Sequence, residues 1–111
     1  MTDPGQAPVL LVHWEETVGL VLDKTSRFPK SARFTFASRI DALVLDILAA
    51  LVRARWATRG DTGPLLAAAD GHLAVLRVLL RLSHERRLLA RPGFEHLVRR
   101  LDEAGRMLGG W

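Results

Sequence analysis

The stretch Arg27–Asp41, RFPKSARFTFASRID, decides how the chain is read. Phe28-Pro29-Lys30 reads as a turn entering a helix, because proline suits the first helical position, where its missing N–H is not needed. Phe34 and Phe36 then open an apolar pattern that runs on through Ile40, Leu43, Ile47 and Leu51 at i, i+4, i+7 spacing. That periodicity predicts a second helix from about Lys30 to Thr58. Phe34, Leu45, Val52 and Trp56 fall on a different side, while Arg39, Asp46 and Arg53 form a narrow polar stripe. A helix apolar on nearly all sides must be covered on more than one of them.

Working outward, Leu11, Trp14, Val18 and Val21 recur at helical spacing and predict a first helix from Pro8 to about Lys24. Gly19 weakens it by roughly 1 kcal/mol relative to alanine. Residues 1–7 read as a flexible leader, and residues 8–111 as a single bundle domain. On the other side, Arg59-Gly60-Asp61-Thr62-Gly63-Pro64 reads as a turn. A third helix is expected from about Pro64 to Arg86, with Leu66, Ala69, Leu73, Leu76 and Leu80 facing the core. Val75, Val78 and Leu82 make a second, nearly opposite stripe. Asp70, Arg77 and Arg81 lie between the two.

Residues 88–93 read as the next connection. A fourth helix from about Pro92 to Leu108 carries Phe94, Leu97, Val98, Leu101, Ala104 and Leu108 on one face, and Gly109-Gly110 ends it. Its outer acids, Glu95 and Asp102, stand four residues before Arg99 and Arg106, the favourable order for intrahelical pairs. Four helices with short connections predict an all-α, up-down-up-down four-helix bundle. The second stripes (Leu45, Val52 and Trp56; Val75, Val78 and Leu82) are expected to meet other copies of the chain in a homo-oligomer.

Composition narrows the function. The chain has 111 residues, a net charge of +4 and no cysteine, which removes disulfides and thiolate metal sites. No apolar run approaches the ~18 residues a membrane span needs, and the MTDPGQAP start lacks the basic region of a signal peptide. A cytoplasmic protein with no membrane contact is expected. None of His13, His72, His84 and His96 has an acid three positions before it, so the paired ligands of a bundle di-iron site are missing. No Walker, HExxH or Gly-x-Ser-x-Gly motif occurs. The histidines read as surface or boundary residues, and Trp14, Trp56 and Trp111 as core or interface. No cofactor, metal or catalysis is expected.

The positive charge is mostly arginine, 14 of 16 basic residues. Arginine suits bidentate contact with phosphate or carboxylate. Between His72 and Arg91 five arginines face one acid, Glu85. Such an excess is a candidate footprint for a polyanion or an acidic partner. In an antiparallel bundle, the turn carrying Arg27, Lys30 and Arg33 and the turn carrying Arg86, Arg87 and Arg91 share one end. Arg77 and Arg81 would continue that surface along the third helix, less whatever Asp70 and Glu85 neutralise.

Three segments in order, FPKSARFTFASRID (28–41), LRVLLRLSHERRLL (76–89) and LDEAGRMLGGW (101–111), resemble the accessory variability determinant proteins of diversity-generating retroelements. That four-helix-bundle family also includes proteins encoded in intervening sequences of 23S rRNA genes. The resemblance covers about Leu11 to Trp111. Ala37 stands where the family would have glycine, and Gly93 where a polar residue is commoner. The resemblance implies a non-enzymatic partner of a reverse transcriptase. It implies a ring-like pentamer that binds the enzyme and RNA or single-stranded DNA and supports mutagenic copying of a template RNA. Carried onto this chain, the basic surface would comprise Arg27, Lys30, Arg33, Arg77, Arg81, Arg86, Arg87 and Arg91. An intervening-sequence protein, or a scaffold that binds only proteins, shares the fold and stays open at this point.

Overall fold

A computed structural model describes residues 6–111. Among them are four α-helices and no strand: α1 (Gln6–Thr25), α2 (Ser38–Trp56), α3 (Arg59–Glu85) and α4 (Arg91–Gly109). Each helix packs on the next in sequence, and α4 closes on α1. With 27 residues, α3 is about 40 Å long at 1.5 Å per residue and sets the 43 Å long axis. Most of the expected leader lies outside the described residues. Gln6 and Ala7 open α1, and Ala7 is buried.

The core lies mainly on the faces the periodicity predicts, but Leu10 and Val44 are fully buried while Leu11, Leu43, Leu66, Phe94 and Val98 are half-buried. Leu10, Trp14 and Val21 of α1 meet Ile40, Ile47 and Leu51 of α2, Leu73, Leu76 and Leu80 of α3, and Leu97 and Leu101 of α4. Trp14 is fully buried, and its indole Nε1 donates to the Val44 carbonyl of α2 at 2.9 Å. That bond settles the one polar atom of the largest core side chain.

Two boundaries differ from the sequence reading. The second helix does not start as a regular α-helix at Lys30. A 3-10 turn over Lys30–Ala32 leads into a π turn over Arg33–Ala37, and α2 proper begins at Ser38. Ala32 and Ala37 both face the core. Residues five apart lie well apart around an α-helix of 3.6 residues per turn, and the wider turn brings both inward. Arg33, Phe34 and Thr35 are left on the outside.

The second difference is Arg59–Pro64, expected as a turn and found as the opening of α3. Ala57 and Thr58, both extended, make the whole reversal between α2 and α3. The Thr58 hydroxyl donates to Asp61 at 2.9 Å and the Thr58 carbonyl accepts from the Asp61 N–H at 3.0 Å, which organises the first turn. Pro64 therefore lies inside the helix, where it removes one backbone bond.

Candidate nucleic-acid interface

The α1–α2 and α3–α4 connections meet at one end of the bundle. The Arg86 guanidinium sits over the Phe36 ring, 5.8 Å from its centroid, so the α3 terminus touches the segment entering α2. A cleft of about 540 Å³ between Ser31, Thr35, Phe36, Glu85 and Arg86 marks the same junction. On the far side, a Cβ on Gly93 would stand 3.3 Å from the Lys24 ammonium, which places the end of α1 against the first turn of α4.

Arg27, Lys30, Arg33, Arg86 and Arg87 are all exposed at this end, and none forms a salt bridge among the described residues. Arg91 reaches back to Glu95 at 3.4 Å in an exposed pair. Pairs of this kind contribute about 0–1 kcal/mol and exchange readily for another partner. Lys24 adds a cation that the sequence reading passed over. Its signal was a basic residue in the last turn of the first helix.

Arg87 is held in an unusual way. Its φ is 63°, the only positive value among the described non-glycine residues. The Leu88 N–H bonds to the Ser83 carbonyl at 2.8 Å, and the Arg87 N–H to the His84 carbonyl at 3.0 Å. This is a Schellman closure of α3, with arginine at the left-handed position that glycine usually fills. A side chain there costs about 1–2 kcal/mol. His84 completes the corner: its ring stacks on Phe94 at 4.6 Å, and its Nδ1 lies 3.0 Å from the Leu89 carbonyl.

Arg77 and Arg81 are paired within the chain, Arg81 in the same kind of exposed, exchangeable i, i+4 pair as Arg91. Arg81 binds Glu85 at 3.0 Å, the intrahelical pair expected from sequence. Arg77 pairs with Asp102 of α4, not with Asp70, and its Nη2 donates to the Leu101 carbonyl at 3.3 Å. Gly105 makes room for it, since a Cβ there would lie 3.2 Å from Nη2. The intrahelical pairs expected on α4 do not form: Glu95 takes Arg91 and Asp102 takes Arg77. Asp102 is claimed by a neighbour from another helix, which spacing along α4 cannot reveal, and Glu95 pairs with the arginine four residues before it instead of the one four residues after it.

A polar network joins α1 to α4. The Arg100 Nη2 donates to the His13 carbonyl at 2.7 Å and to Glu16 at 3.3 Å, and its Nε donates to the Thr17 hydroxyl at 3.0 Å. His13 was expected at the surface or boundary, yet it is buried with its Nε2 3.0 Å from Glu103. Burial pushes the imidazole pKa below its ordinary value and the Arg100 charge lowers it further, against the opposing pull of Glu103 and Glu16.

The predicted self-association residues lie as follows. Leu45, Val52 and Trp56 of α2 and Val75 and Val78 of α3 are exposed in the single chain, Trp56 to 79%, and Leu82 is half-buried. Trp111 is buried. Among the described residues no cluster of three or more His, Asp or Glu could hold a metal ion, and no helix is long and apolar enough to cross a membrane.

A family model described as bAvd-like matches residues 9–111. The chain belongs to the bAvd-like family. The match takes in α2, α3 and α4 and nearly all of α1, so every residue of the basic end falls within it. The Avd-like resemblance read from the three sequence segments agrees with it. No curated protein matches the chain.

Proposed function

We propose that this bAvd-like chain is a non-enzymatic accessory protein of a diversity-generating retroelement. It binds the element's reverse transcriptase and its template RNA or cDNA through the basic end, and so supports mutagenic reverse transcription. Family membership across residues 9–111 carries the reading. The convergence of Arg27, Lys30, Arg33, Arg86 and Arg87 at one end supports it. Such cations neutralise phosphates and release counterions, which gives affinity without dependence on base identity. Arg91, freed from Glu95, extends the surface.

The same reading includes self-association. Leu45, Val52, Trp56, Val75, Val78 and Leu82 would be buried between copies, in a ring expected to be a pentamer. Repetition of the basic end around a ring multiplies weak contacts through effective concentration. Val78→Glu is expected to convert the oligomer to monomer in light scattering while helical circular dichroism is retained. A wild-type monomer at micromolar concentration would contradict the self-association reading.

The function is tested in its genomic setting. A reverse transcriptase gene with a template and variable repeat pair is expected beside this one, and that enzyme should copurify with the chain. Arg86→Glu/Arg87→Glu should weaken the copurification. A neighbourhood without a reverse transcriptase, or an enzyme that never copurifies, would contradict the reading.

A further inference from the structure

The π turn places an aromatic ring where a packed helix would not. Phe34 is 84% exposed, the most exposed of the large apolar side chains described. It rims a cleft of about 390 Å³ that runs back to Phe28, Thr25, Ser38 and Asp41, with Arg33 beside it. Sites for small ligands are commonly about 300–1,000 Å³. Asp41 is half-buried in this cleft. Its Oδ1 accepts from the Thr25 hydroxyl at 2.6 Å, and its other oxygen takes no hydrogen bond among the described residues.

The composition of the cleft points to one kind of occupant. Arg33 on the rim, with Arg27 and Lys30 in the same connection, suits a phosphodiester backbone. Phe34 offers a flat apolar face. Asp41 sets a carboxylate inside, which repels phosphate and asks for N–H donors. An unpaired nucleobase meets all three: its sugar-phosphate stays with the cations, its face stacks on the ring, and its edge donates to the carboxylate. Guanine suits Asp41 best, because its N1–H and 2-amino group lie side by side. Uracil offers a single N–H and no exocyclic amine.

We infer that the Phe34–Asp41 cleft is a base-binding site that takes one unpaired guanine from the bound RNA or single-stranded DNA. This rests on the nucleic-acid reading above and adds base contact to it. Phe34 supplies stacking, Asp41 supplies base preference and Arg33 holds the adjoining phosphate.

The experiment is fluorescence anisotropy with labelled U-rich RNAs of about ten nucleotides, whose central residue is guanosine, inosine or uridine. Wild type should bind the guanosine RNA roughly tenfold more tightly than the uridine RNA, with inosine, which lacks the 2-amino group, between them. Loss of one stacked base is worth about tenfold or more in affinity. Phe34→Ala should therefore weaken the guanosine RNA about tenfold with an unchanged salt dependence, and Phe34→Trp should restore it. Asp41→Asn should erase the preference for guanosine while its amide oxygen still accepts from the Thr25 hydroxyl, with circular dichroism confirming the fold. Phe34→Ala is at an exposed position and needs no such safeguard. Equal affinity of wild type for all three RNAs, or a Phe34→Ala variant that binds as wild type does, overturns the inference and leaves phosphate-led binding intact. If no RNA binds wild type, the nucleic-acid reading falls and this inference with it.

Discussion

Arginines serve different ends in two regions of this bundle. Along the flank of α4 they are used by the fold. Arg100 ties α1 to α4 through Glu16, Thr17 and the His13 carbonyl, and Arg77 ties α3 to α4 through Asp102 and the Leu101 carbonyl. At the connections, Arg27, Arg33, Arg86 and Arg87 stay exposed without a carboxylate among the described residues, and Arg87 even sits in backbone that a glycine would relieve. The difference sorts structural arginines from available ones. A residue strained in place and bound to nothing within its own chain is a mark of function more than of stability.

The largest effect expected on stability falls on the α1–α4 flank. Arg100→Met keeps the apolar stem and removes donors from the Thr17 hydroxyl, Glu16 and the His13 carbonyl. Hydrogen bonds that involve a charged group contribute about 1.5–3 kcal/mol, so the midpoint of thermal unfolding should fall by several degrees. A change within error would mean that the arginine is no more structural than those at the connections. Arg87→Gly comes next and has the opposite sign. Relieving the left-handed position should stabilise the chain by about 1 kcal/mol, measured by urea titration, while nucleic-acid affinity falls. Stabilisation without loss of affinity would leave the strain unexplained.

A smaller effect lies in pH. Folded His13 binds its proton less readily than unfolded His13, whose pKa is near 6.5. The unfolded state therefore takes up protons first as pH falls. The contribution of neutral His13 is complete above about pH 6.5 and is lost on acidification through the lowered folded value. The geometry agrees: Nε2 is turned to Glu103 and Nδ1 is buried without a partner among the described residues, so a second ring proton would have nowhere to bond. Urea midpoints should decline below about pH 6.5 in wild type and less so in His13→Gln. Parallel curves for the two would remove His13 from the account.

Much of this was legible in the sequence. Apolar spacing marked the four helices and the core face of each, because burial and helical period are recorded in the same residues. The convergence of two basic turns followed from antiparallel topology. Other features were not legible, for particular reasons. The π turn at Arg33–Ala37 is hidden because the apolar pattern from Phe36 onward fits a regular helix, and because phenylalanine ordinarily signals a packed position, so that Phe34 fits both the opening of that pattern and the second stripe with Leu45, Val52 and Trp56. Three breakers at Gly60, Gly63 and Pro64 argued for a turn, yet the extended pair Ala57-Thr58 had already reversed the chain. The partners of Arg77, Arg100 and Asp102 come from other helices, and spacing along one helix cannot name them. His13 carries no local sign of its burial, because its cover is supplied by α4.

The measurement that bears most directly on the account is a titration of single-stranded RNA at two salt concentrations with wild type, Arg77→Met and Arg86→Glu/Arg87→Glu. Wild-type affinity should fall steeply as salt rises. The double variant should bind more weakly, with a log–log salt slope shallower by about 1–2, the loss of two phosphate contacts. Arg77→Met, which breaks only an internal pair, should keep wild-type affinity and slope. A double variant that retains both, or an Arg77→Met variant that loses them, would contradict the assignment of the basic end as the polyanion surface.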